Sequence, residues 1–145
     1  MSLKRYHSLL DAYGCAAMAG GQPVTVLIGM QRIHLHFVAD EEDPSEDLLM
    51  ARTDVLHLPR APSVQVCRSL LQANAFWAGI QGGALGLRGT QTVMLSVSQR
   101  LALLDAGRLA VLLQQMAEDA RRWAVFLQVP DTAQPQASIL PGVLA

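Results

Sequence analysis

Apolar and polar positions alternate along this chain with two different periods. Apolar residues at Tyr6, Leu9, Leu10, Tyr13 and Ala17 follow i, i+3, i+4, i+7 spacing, which predicts an amphipathic helix over about Leu3–Ala19. Gly20 and Gly21 are expected to end it, and Pro23 to prevent its resumption. The period then drops to two. Val24–Met30, Arg32–Ala39 and Leu48–Pro59 read as three strands of an antiparallel meander, with the acidic turn Asp40–Asp47 before the third. Ser63, behind Pro62, is a plausible N-cap for a second helix that should stop at Gly82 and Gly83. Ala84–Gly89 and Thr92–Leu101 supply two more strands. Asp105 then caps a third helix, Ala106 to Gln128, with the apolar stripe Leu109, Leu112, Leu113, Met116, Ala120, Trp123, Ala124 and Leu127. The order is α-β-β-β-α-β-β-α, an α+β fold with helices on one side of an antiparallel sheet. One domain is expected over residues 1–129, followed by a Pro/Ala-rich tail, 130–145, with an apolar end.

The middle helix carries more apolar surface than one core-facing stripe needs. Gln65, Arg68, Ser69 and Gln72 form a narrow polar stripe. Val66, Leu70, Ala73, Trp77 and Ile80 form one apolar face, and Val64, Cys67, Leu71, Ala75 and Ala78 a second beside it. Phe76 projects near the polar stripe. A domain with three helices leaves few places to bury both faces alone, so the pattern predicts a homodimer. Its interface is assigned to Phe76, Trp77, Ile80, Leu85 and Leu87, where Gly86 would permit close approach of a symmetry mate.

Composition narrows the class. Apolar residues make up 51% of the 145 positions, enough for a real core, yet no uninterrupted run approaches the ~20 residues of a membrane span. A formal charge of −1 argues against a nucleic-acid binder. Two cysteines, Cys15 and Cys67, are too few for a disulfide framework and lack metal-ligand spacing, so a reduced, cytoplasmic protein is expected. His7 and Asp11 interrupt what would be the apolar segment of a signal peptide.

Candidate chemistry is thin. The glycines Gly82 and Gly83 follow a predicted helix instead of preceding one, so they do not match a phosphate loop. His34 and His36 point the same way on a strand, and His57 on a neighbouring strand could complete a zinc site. Alternation with Ile33, Leu35 and Phe37 explains the same pattern as a two-faced strand, which is preferred. A Cys67–His nucleophile pair is disfavoured for a thiol on an apolar helix face. "DEEDPSED" reads as a solvated turn. No enzyme, metal or cofactor is expected.

The second half of the chain resembles the class I type III secretion chaperones, the Tir-chaperone or CesT-type family. The resemblance rests on Leu70-Leu71-Gln72-Ala73-Asn74, the turn Gly83-Ala84-Leu85-Gly86, the helix start Leu104-Asp105 and the late Trp123. It runs from Leu3 to Gln128 and is densest after Ser63. It implies a small bacterial cytoplasmic homodimer that binds the unfolded N-terminal segment of a secreted effector without ATP and keeps it secretion-competent. Effectors of that family wrap along the first helix and the sheet, which points to Tyr6, Leu9, Leu10, Tyr13, Ile33, Leu35 and Phe37 as partner-binding residues. Two features depart from the family: this chain is almost neutral where members are strongly acidic, and the apolar tail is unusual. The alternative is a non-chaperone α+β dimeric scaffold, such as a roadblock-like module.

Overall fold

In the computed structural model, residues 2–15, 22–75 and 83–128 are described. These residues include three α-helices, α1 (Ser2–Tyr13), α2 (Val64–Ala75) and α3 (Ala106–Gln128). Five strands accompany them: β1 (Val24–Ile28), β2 (Gln31–Val38), β3 (Leu48–His57), β4 (Gly83–Arg88) and β5 (Thr92–Arg100). The order is the one that the periodicities predict.

The helix ends follow from local chemistry. Ser63 Oγ accepts from the Val66 N–H at 3.2 Å, and Asp105 Oδ1 accepts from the Arg108 N–H at 2.8 Å, so both expected N-caps are formed. The first helix is shorter than its periodicity suggests. It stops at Tyr13 because Gly14 takes φ 101°, a left-handed conformation, and the N–H groups of Gly14 and Cys15 turn back to the Leu10 carbonyl at 3.0 and 2.8 Å. Ala17, Gly20 and Gly21 lie outside the described residues, as does Gly82; Gly83 opens β4.

All strand pairs are antiparallel, in the order β1-β2-β3-β5-β4. The meander β1-β2-β3 forms as expected. The chain then leaves through α2 and returns as a β4–β5 hairpin, with β5 laid against β3. The two longest strands, of 10 and 9 residues, therefore sit side by side inside the sheet, leaving β1 and β4 as its edges.

Register turns alternate residues of every strand to a single core face. Ile33 opposes Thr53, which opposes Leu95, which opposes Leu85, and all four are buried. Tyr6 and Leu10 of α1, with Leu109, Leu113, Met116 and Trp123 of α3, close over that face and are fully buried. Each such Leu contributes about 1.5–3 kcal/mol relative to exposure. Thr53 is the polar member of this layer. Its hydroxyl donates to the Arg32 carbonyl at 2.7 Å and accepts from the Gln31 amide, so it is satisfied.

Candidate partner and subunit surfaces

The residues expected to meet a partner divide sharply. Tyr6, Leu9, Leu10, Ile33 and Leu35 are buried between α1 and the sheet, so in this chain they form the core and not a surface. The physical reason is that apolar periodicity selects the inward face and cannot by itself distinguish a core from a groove. Tyr13 and Phe37 are half-buried at the border of that core. The Tyr6 ring packs on Phe37 with centroids 5.6 Å apart, and its hydroxyl reaches the Leu35 carbonyl at 3.5 Å. Burial, and secondarily the Cys15 thiol, push the Tyr6 phenol up, which keeps it a hydrogen-bond donor. The segment at the start of the chain is thus part of the folded core.

At the other edge of the sheet, α2 packs against β4. Its two apolar faces take different environments. Leu70 and Ala73 are buried, and Val66 packs partly against the core. The second face is open: Val64 is 76% and Leu71 71% exposed, with Cys67 half-buried and Ala75 exposed between and beside them. Of the residues assigned to a subunit interface, Leu85 is buried toward the core and Leu87 is 37% exposed. Phe76, Trp77 and Ile80 lie outside the described residues. Among the described residues a Cβ built on Gly86 would meet nothing within 4 Å, so no contact with them requires glycine there.

Asn74 joins the helix to the strand. Its side-chain amide donates to the Leu85 carbonyl at 2.7 Å, and its oxygen accepts from the Leu85 N–H at 2.8 Å. A side-chain amide thereby imitates the backbone of a neighbouring strand and satisfies one position of an otherwise free edge. The sequence contains the Leu-Leu-Gln-Ala-Asn run, but nothing local reveals that its last residue pairs with a strand eleven positions later.

A further apolar surface escapes the sequence reading. A depression of about 520 Å³ lies beside the start of α3, lined by Leu103, Leu104, Val111 and Leu112, with Gln99, Arg108 and Gln115 among its polar neighbours. Leu103 and Val111 are 54% and 70% exposed. Val111, lying off the predicted apolar stripe of α3, is the signal that could have exposed it.

Among the described residues, no three His, Cys, Asp or Glu side chains gather as a metal ion would require. His34 Nδ1 is 2.9 Å from Thr25 Oγ1, and His57 Nδ1 is 3.0 Å from Thr92 Oγ1. His34 and His36 oppose Arg52 and Met50, whereas His57 lies five residues beyond Arg52, roughly 16 Å along β3. The register therefore keeps His57 apart from His34 and His36. Burial pushes the Cys15 thiol up, away from the reactive thiolate. In the acidic turn, Asp40 Oδ1 accepts from the Glu42 and Asp43 N–H groups at 2.9 Å, and buried Asp47 accepts from the Asp40 N–H at 2.7 Å. Asp43 accepts from Ser45, which holds its carboxyl below the usual range. These carboxylates shape a turn.

Comparison with known proteins adds three findings. The profile of the Tir chaperone protein (CesT) family matches residues 7–124. Curated proteins give no match. Among solved structures, the chain is similar to the crystal structure of the ExsC–ExsE complex, with 16% identity and a TM-score of 0.65, covering 93% of this chain and 94% of that one. At that identity the likeness is one of fold.

Proposed function

This chain belongs to the Tir chaperone (CesT) family, and from that premise we propose that it is a type III secretion chaperone. In this reading it binds the extended N-terminal segment of a secreted effector in the cytoplasm and keeps it secretion-competent. The working form is a homodimer, and binding needs no ATP and no catalytic step. The observation that carries the dimer is the outward apolar face of α2, where Val64 and Leu71 are largely exposed although their neighbours Leu70 and Ala73 are buried. Exposed apolar residues aligned on one helix face are what a subunit interface would cover. The likeness to a protein solved in a complex supports a binding role. No described helix is long and apolar enough to cross a membrane.

The client surface is proposed along α1 and the adjoining sheet edge, with Tyr13 and Phe37 as the accessible members of the expected set; Tyr6, Leu9, Leu10, Ile33 and Leu35 support it from beneath. An extended segment could add to the β1 edge, where backbone groups supply affinity and side-chain pockets supply selectivity.

The test is co-purification of the tagged full chain from its native bacterium, with partners identified by mass spectrometry. One abundant partner, released when its own N-terminal segment is deleted, is the expected result. A partner held through a folded surface instead would favour the roadblock-like scaffold.

A further inference from the structure

The sheet has a second face, turned away from the helices, and its charges are arranged differently from those of the rest of the molecule. Alternation with the buried residues places Arg32, His34 and His36 of β2 on it, together with Arg52 and Asp54 of β3, Arg88 of β4 and Arg100 of β5. Two of the four arginines are neutralised: Arg88 pairs with Asp54 at 2.7 Å and Arg100 with Glu46 at 2.8 Å. The other two meet no carboxylate among the described residues. The Arg52 guanidinium instead reaches Met50 Sδ, at 3.0 and 3.2 Å, a weak acceptor. His34 lies directly opposite Arg52 and His36 beside it, across a depression of about 360 Å³ that Arg88, Asp54 and Met94 also line. A planar fork of donors is thus held at the centre of an open face with no anion to receive it.

We propose that this face binds an acidic, extended peptide segment, with Arg52 as the central carboxylate fork and Arg32, His34 and His36 as its flank. The proposal does not depend on the apolar α2 face or on secretion. Charge complementarity selects an anion, and the spacing selects a peptide. Arg32, His34 and His36 stand two residues apart, roughly 7 Å, which is the interval between same-side chains of an extended peptide. Among the described residues this face presents no phenylalanine, tyrosine or tryptophan ring on which bases could stack. With a net charge of −1 the chain as a whole does not attract an anion, so the attraction has to come from these local charges.

Burial, then Arg52, then His34 hold the His36 imidazole below its ordinary range, so the ring also reports on the site. A carboxylate brought between His36 and Arg52 would move it back up.

The experiment is an NMR titration of the full chain at about 0.15 M ionic strength with an alternating Glu-Thr peptide of about ten residues. A matched Gln-Thr peptide and oligo-dT serve as comparisons. Saturable shifts of the His34 and His36 ring signals with the Glu-Thr peptide alone, and a raised His36 midpoint, are expected. Arg52→Gln should weaken that binding about tenfold or more, whereas Arg68→Gln, on α2, should leave it unchanged. Unmoved histidine signals, equal binding of the Gln-Thr peptide, or undiminished binding by Arg52→Gln would each overturn the proposal. Tighter binding of oligo-dT at the same rings would overturn it in favour of a nucleic-acid face.

Discussion

The Asn74 amide stands where a sixth strand would pair, and its loss should be felt in proportion. Asn74→Ala removes two hydrogen bonds to Leu85 and loosens α2 from β4. Because water can reach this exposed side chain, the expected loss is about 1–2 kcal/mol, measured by urea unfolding. Asn74→Asp should be no better, since a carboxylate would face the Leu85 carbonyl. Asp119 makes the opposite case. It is 3% exposed, Gln115 donates to its Oδ1 at 3.2 Å, and its Oδ2 has no partner among the described residues. Burial raises its pKa above the ordinary aspartate value, with Gln115 and Arg122 only partly opposing. A raised folded pKa means that the neutral form favours the fold, and that stability declines as pH rises through it. Asp119→Asn should therefore raise the thermal midpoint at pH 7, and the gain should vanish below about pH 4, where the wild-type carboxyl is neutral as well. A gain that is flat with pH would show that charge is not the cause. Neither residue's role is legible in sequence: Asp119 occupies a polar slot of an ordinary amphipathic pattern, and its burial depends on what packs beside it.

Among the elements, α2 gives the sharpest contrast, because adjacent leucines meet different fates. Leu70 is 5% and Leu71 71% exposed. Leu70→Ala should cost about 2–5 kcal/mol, the ordinary result of opening a cavity in a core. Leu71→Glu should leave the isolated subunit within about 0.5 kcal/mol of wild type, yet abolish the proposed dimer. Sedimentation velocity separates these outcomes, and a Leu71→Glu protein that still sediments as a dimer would place the interface elsewhere. The doubly apolar character of this helix was readable from its residues, whereas which face turns inward was not. That choice accompanies long-range contacts, the burial of Leu70 and Ala73 and the two Asn74 hydrogen bonds to Leu85 on β4. The end of α1 departs from its periodicity for a local reason: Gly14 caps it through a positive φ before the expected Gly20-Gly21 stop.

For the whole molecule, a dimer assembled through α2 should unfold at a midpoint that rises with protein concentration, and the Leu71→Glu variant should lose that dependence in scanning calorimetry. Periods of two and 3.6, capping residues and the antiparallel order are local properties, so the residues alone specified the α+β class, the five strands and the span of α3. The order and spacing of Leu70–Asn74, Gly83–Gly86, Leu104-Asp105 and Trp123 also pointed to the family that the profile match shows. Long-range placement settled the rest. Packing of α1 and α3 on one face of the sheet buries Tyr6, Leu10, Ile33 and Leu35 while leaving Arg52, His34 and His36 on the open face. Periodicity states that a residue has a side, and only the packing of elements distant in sequence states whether that side meets the core, a second subunit or water.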